Sequence, residues 1–177
     1  MKLFPTEKIE NNKSYWTRTL FNLAPLYMAT GAKIKFCSND FKEIHVKLTK
    51  NILTKNYVNT IFGGSMYSSI DPIYMLMFMQ ILGKNYVVWD KAATIRFIKP
   101  ANKMLKCRFL ITDELVESIK NKIKNEGEMN LELALDYLDE NEKPCAAFTK
   151  TLYIAEKNFY IEKRKNKGHS IDYKPRF

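Results

Sequence analysis

A chain of 177 residues, 46% apolar and 13% aromatic, has enough material for one substantial core and falls within the usual size of one domain. Its longest strongly apolar stretch, Ile73 to Leu82, is too short to cross a bilayer's hydrocarbon core, which takes about 20 residues in a helix. The net charge is +10. Residues 157–177 carry Lys157, Lys163, Arg164, Lys165, Lys167, Lys174 and Arg176 against Glu162 and Asp172, so about half the excess lies in the tail. That distribution reads as a solvated, partly mobile terminus rather than a nucleic-acid surface.

The N-terminus lacks a sustained apolar core and a small-residue cleavage site, so the reading is a cytoplasmic protein without a secretory signal. Cys37, Cys107 and Cys145 stand far apart in strand-like sequence and are expected to be reduced, buried thiols. The only histidines, His45 and His169, have no neighbouring second His or acidic pair, so no metal site is expected.

In chain order, residues 14–29 space Trp16, Leu20 and Leu23 as a helix, with Ser14 as its N-cap and Pro25 kinking or ending it. Two alternating runs follow, Ile34/Phe36 and Ile44/Val46/Leu48, with Glu43, His45 and Lys47 between the latter; Ser38-Asn39-Asp40 turns between them, giving a hairpin of half-buried strands. Gly64 to Leu82 is apolar almost all round and predicts a central buried helix.

Beyond Gly83 the pattern alternates over Val87–Ile98, Met104–Ile111, Met129–Tyr137, and Ala146/Phe148 into Leu152/Ile154. Thr112-Asp113-Glu114 begins a helical insertion with Leu115, Ile119 and Ile123 on one face, ending near Gly127. Two strands, one buried helix and about four more strands suggest an α+β fold, with an antiparallel sheet wrapped around that helix. The expected organisation is one domain over residues 1–157 and a basic tail over 158–177.

The densest chemical signal is Phe62-Gly63-Gly64-Ser65-Met66-Tyr67-Ser68-Ser69-Ile70-Asp71. Paired glycines let a backbone approach a ligand, and free N–H groups at a helix start can hold an oxyanion. Asp71, seven residues after Gly64, returns to roughly the same helix face. A bland reading competes: Asp followed by Pro is a strong helix-start pair, so Asp71 could simply cap a helix beginning at Pro72. Gly63-Gly64 alone reads as a turn and Asn59 as an ordinary loop residue.

The segment resembles the helix-entry motif of phenylacetyl-CoA-type hotdog thioesterases, which is His-Gly-Gly with an acidic residue seven places after the second Gly and an Asn shortly upstream. Gly63, Gly64, Asp71 and Asn59 match, while Phe62 stands in place of the His. The chain is also similar to a hotdog-like family of unknown function through Asn59-Thr60-Ile61-Phe62-Gly63-Gly64-Ser65-Met66-Tyr67, Asp71-Pro72 and Trp89-Asp90-Lys91-Ala92-Ala93-Thr94-Ile95-Arg96-Phe97, over nearly its whole length.

The resemblance implies a hotdog fold and an acyl-CoA substrate, with coenzyme A entering only as part of that substrate and no separate cofactor. It implies amides of Gly64 and Ser65 as the oxyanion site, Asp71 as general base or nucleophile, and Asn59 orienting water or carbonyl. Substrate contacts fall to Phe62, Gly63, Tyr67, Lys91 and Arg96, the last two near the nucleotide phosphates. A homodimer or dimer of dimers is implied as well. Neither Trp89 nor Asp90 is given a catalytic role. The alternative function is a non-catalytic acyl-CoA or lipid-binding module, suggested by Phe62 and the Met-rich helix; nucleic-acid binding through the tail is a third.

Overall fold

The computed structural model describes residues 10–166 and Gly168. Helices α1 (Asn12–Leu23) and α2 (Pro25–Met28) precede strands β1 (Ala32–Cys37) and β2 (Glu43–Thr49). Helices α3 (Gly63–Ile70) and α4 (Ile73–Leu82) come next, then β3 (Tyr86–Phe97), β4 (Met104–Leu110), α5 (Asp113–Glu126), β5 (Glu128–Leu138), β6 (Pro144–Glu156) and α6 (Lys157–Asn166). All six strands form one antiparallel sheet in the order β1-β2-β4-β5-β6-β3. The α+β architecture expected from the alternation is therefore present, and α3 and α4 bury their apolar sides against the sheet.

The central helix differs from the expectation in being two pieces. Pro72 has no N–H to give the turn before it, and the chain breaks there into α3, ending at Asp71, and α4, starting after Pro72. At the N-terminus Asn11, not Ser14, caps α1: its side chain accepts from the Ser14 N–H at 2.8 Å. The Trp16/Leu20/Leu23 stripe faces outward, and α1 packs inward through half-buried Phe21. Pro25 ends α1 as expected and opens α2.

Strand β2 is buried on both faces rather than one. Glu43 and His45, the residues that alternate with its apolar set, are both buried. Glu43 accepts from His45 Nε2 at 2.7 Å and from Arg108 Nε on β4 at 2.8 Å, so these polar groups carry their partners inside with them.

Helix α5 is specified locally. Thr112 accepts from the Leu115 N–H, Asp113 and Glu114 occupy the first turn, and Gly127 ends the helix at φ 79°. Phe159 of α6 lies against the space a side chain at Gly127 would fill. Residues 158–166 of the basic tail are thus helical and folded back on the domain, while Lys167 and residues 169–177, His169 among them, lie outside the described residues. The three cysteines are free and buried, and burial pushes the Cys37 thiol up to about 12. Among the described residues no helix is long and apolar enough to cross a membrane.

Candidate functional site

Two backbone bonds bring the glycine pair to the start of α3. The Ile61 N–H donates to the Ala101 carbonyl and the Phe62 N–H to the Thr54 carbonyl, at 2.8 and 2.7 Å. The first helical bond runs from Met66 N–H to the Phe62 carbonyl, so the amides of Gly63, Gly64 and Ser65 lie ahead of it and have no partner inside the helix. No side chain caps this end. Aromatic rings lie close over both glycines: a Cβ on Gly63 would stand 2.6 Å from the Phe97 ring, and one on Gly64 2.3 Å from the Phe62 ring, so a side chain at either position would push an exposed ring aside. Both rings are exposed, as are Ile52, Leu53, Tyr57 and Val58 of the preceding loop and Ile98 after β3. The helix start is therefore polar at its amides and collared by apolar surface.

Asn59 sits in the turn before this entry with φ 62°, a backbone state that asparagine tolerates better than most residues. Lys50 Nζ donates to its carbonyl at 3.1 Å and to its Oδ1 at 3.3 Å. Its side chain is exposed and held in the loop.

At the other end of α3, Asp71 neither caps α4 nor stands alone. Its Oδ1 accepts from Lys150 Nζ at 2.7 Å, and α4 begins without a side-chain cap. Lys150 lies on β6, where Ala146, Phe148, Leu152 and Ile154 face the core, and it shares that face with a side chain only 1% exposed. A buried ammonium is stable only when paired. Its second partner is Asp90 of β3, whose Oδ1 stands 2.9 Å away in ion-pair contact but without a hydrogen-bond donor among the described residues.

A bulge at Lys91, between the Asp90–Leu152 and Ala92–Thr151 pairs, breaks the regular register of β3 beside this contact. Burial alone would depress the Lys150 ammonium, but its contacts with two carboxylates outweigh that and the net direction is upward. Asp90 moves upward too, because burial costs it more than one ammonium returns. Tyr67, one turn before Asp71, has its ring 6.0 Å from Lys150 Nζ, and burial, then the Asp71 charge, raise its phenol.

Asp71, Tyr67, Lys150 and Asp90 form one cluster, and Phe62, Gly63, Gly64 and Ser65 form another at the helix start. Seven residues of helix separate Gly64 from Asp71, about 10 Å along the axis at 1.5 Å each. One chain cannot bring both to the same carbonyl carbon. Lys91 is exposed and donates to Asn130 Oδ1 at 3.1 Å, and Arg96 is exposed near the far end of β3. Neither touches the Asp71 cluster.

Sequence reading passed over Lys150 and Asp90. The signal was present, because a lysine at the midpoint of the Ala146/Phe148/Leu152/Ile154 alternation occupies a core position.

The profile of a family described as a domain of unknown function, DUF4442, matches residues 13–154. The chain belongs to that family. No curated protein matches it. Three solved structures show the fold. A Pseudomonas aeruginosa protein of unknown function, described as a probable thioesterase, superposes with a TM-score of 0.72 at 12% identity, covering 85% of this chain and 99% of the other. The thioesterase HI1161 of Haemophilus influenzae gives 0.60 at 14%, covering 81% and 90%. The PaaI protein of the E. coli phenylacetic acid degradation operon gives 0.56 at 14%, covering 80% and 93%. This DUF4442 chain has a hotdog fold.

Proposed function

We propose that this DUF4442 protein is a cytoplasmic acyl-CoA thioesterase in which Asp71 is general base or nucleophile and the amides of Gly64 and Ser65 receive the thioester oxygen. The observation that carries this reading is the construction of α3: unpaired amides at one end, and at the other a part-exposed carboxylate held off the helix by Lys150. Unpaired helix-start amides suit a developing oxyanion. A fixed carboxylate suits activation of water or direct attack.

Because about 10 Å of helix divides the two groups, the reading requires a second copy of the chain, so that the amides of one α3 face the Asp71 of the other. Strand β3 is an edge of the sheet, 12 residues long, and bears exposed Trp89, Phe97 and Ile98 near its ends. Long apolar edges are normally covered, which supports a homodimer, or a dimer of dimers, formed across that side. Asn59 would orient the water or the carbonyl. Phe62, Gly63 and Tyr67 would line the acyl end, with Lys91 and Arg96 placed for nucleotide phosphates.

The test is thiol release by the full chain from short, medium, long and aromatic acyl-CoAs. Release by the wild type, and its loss in Asp71→Asn at unchanged melting temperature, is the expected outcome; silence across the whole panel refutes the reading. A second reading, acyl-CoA binding without turnover, is favoured by the Phe62 ring lying over Gly64 and by the ammonium on Asp71. Saturable calorimetric binding with no thiol released would select it.

A further inference from the structure

The Asp71–Pro72 pair presents a choice that local chemistry would settle differently from what is seen. Aspartate is among the strongest N-caps, and α4 starts uncapped immediately after it. Asp71 is instead still helical, at φ -49° and ψ -51° with its N–H on the Tyr67 carbonyl, so its carboxylate leans back along α3 and does not reach the first amides of α4. Lys150 fixes where that carboxylate points. Its Nζ is 2.7 Å from Asp71 Oδ1 and 2.9 Å from Asp90 Oδ1, with the side chain 1% exposed against 41% for Asp71 and 27% for Asp90.

The most buried member of the triad is thus the cation, and the most open is the carboxylate that the proposed chemistry uses. Asp90 comes from the edge strand at its bulge and gives the ammonium a second anchor, so that Lys150 cannot follow Asp71 if the latter moves. The titratable and charged groups facing Lys150 are Asp71 and Tyr67 from α3 and Asp90 from β3.

We infer that Lys150, braced by Asp90, is a positioning residue: it holds the Asp71 carboxylate in one orientation on the α3 surface. The consequence for turnover rests on the reading of Asp71 given above, whereas the placement of the side chain does not. Lys150 is itself too deeply buried to touch substrate. Replacing it therefore spoils the geometry of the attacking group and leaves the binding surface intact, which shows in kcat and not in KM.

The experiment has a kinetic and a crystallographic arm, both on the full chain. In the kinetic arm, Lys150→Met lowers kcat on the best acyl-CoA by about 100-fold, the size of effect that misplacing a reacting group by about 1 Å produces, while KM stays within about twofold. Lys150→Arg, which keeps a cation on the carboxylates, recovers at least about tenfold of the loss. The double variant Asp71→Asn with Lys150→Met is no slower than Asp71→Asn alone, since the two residues act as one unit. Wild-type kcat in Lys150→Met overturns the inference, as does a loss confined to KM.

In the crystallographic arm, the Asp71 carboxylate of Lys150→Met leaves its wild-type orientation for another rotamer. An Asp71 that stays where the wild type has it overturns the inference whatever the kinetics show. Should the wild type release no thiol from any acyl-CoA, the thioesterase reading fails and this arm alone decides the positioning role. If Lys150→Met does not fold, Asp90→Asn serves in its place: removal of the brace lowers kcat about three- to tenfold at constant KM, and an unchanged kcat counts against the inference.

Discussion

Helix α3 carries both ends of the proposed chemistry, and a buried hydroxyl pair is one of its attachments to the sheet. Ser69 Oγ donates to the Met66 carbonyl at 2.9 Å, which uses its single proton, so the Tyr137 hydroxyl donates to Ser69 Oγ in their 2.6 Å contact. Tyr27 completes the attachment by donating to the Ser69 carbonyl at 3.1 Å. Tyr137 is fully buried, and burial raises its phenol well above the usual range, so it remains a donor.

Tyr137→Phe keeps the ring and its edge contact with Phe148. It removes one hydrogen bond and leaves Ser69 with its own donated bond intact, at a cost of about 1 kcal/mol. Ser69→Ala is worse, because it strands the Tyr137 hydroxyl as a buried donor without an acceptor, about 2 kcal/mol. The double variant strands nothing and costs less than the sum, with a coupling of about 1 kcal/mol or more. In urea, with a slope of about 2 kcal/mol per molar, the midpoint falls by about 0.5 M for Tyr137→Phe and about 1 M for Ser69→Ala. Strictly additive losses, or Ser69→Ala no costlier than Tyr137→Phe, would refute the donor assignment.

Two other perturbations probe the frame of the domain. Gly127→Ala forces an L-residue to φ 79° and sets its Cβ 2.3 Å from the Phe159 ring, so a loss of about 2 kcal/mol is expected in denaturant unfolding; adding Phe159→Ala returns no stability if the ring is not the obstacle. Asp139 accepts from Lys99 and from the Asn141 and Lys143 amides in the β5–β6 turn, and the Lys99 bond foremost lowers its carboxyl from 3.8 to about 2. A depressed folded value contributes stability above the unfolded one and loses it as pH falls through the folded one. The wild type should therefore outlast Asp139→Asn at neutral pH, with the gap closing between pH 3.8 and about 2; a constant gap down to pH 2 contradicts the assignment.

The parts of the fold that could be read in advance are those whose cause is local. Period-two alternation located β1 through β6 because each strand sets an apolar face on the core, and Thr112 and Gly127 bracketed α5 because capping chemistry acts within a turn. What escaped has non-local causes. Glu43 and His45 look like a solvent face until Arg108 arrives from β4 to pair with Glu43 inside. The outward Trp16/Leu20/Leu23 stripe obeys helical spacing, yet spacing cannot say which side the domain lies on. Strand order is equally remote from sequence: β3 precedes β4 and β5 but sits outside both, beyond β6.

The glycine pair was conspicuous because glycines are unfavourable inside a helix, and Asp71 because it precedes a proline within an apolar helical run, but their relation to one another was not. Common helical phase suggested a common target, and phase ignores rise: two turns put them about 10 Å apart. Lys150 was legible on the same principle that found the strands, as a charge in the middle of the core-facing parity of β6, between Phe148 and Leu152. Burying an ammonium costs several kcal/mol unless it is paired, so a lysine at such a position announces carboxylates converging from elsewhere in the fold. Here they come from β3 and from the end of α3. The substitution that would most simplify this core, lysine to an aliphatic residue, is the one expected to free the Asp71 carboxylate from its fixed orientation.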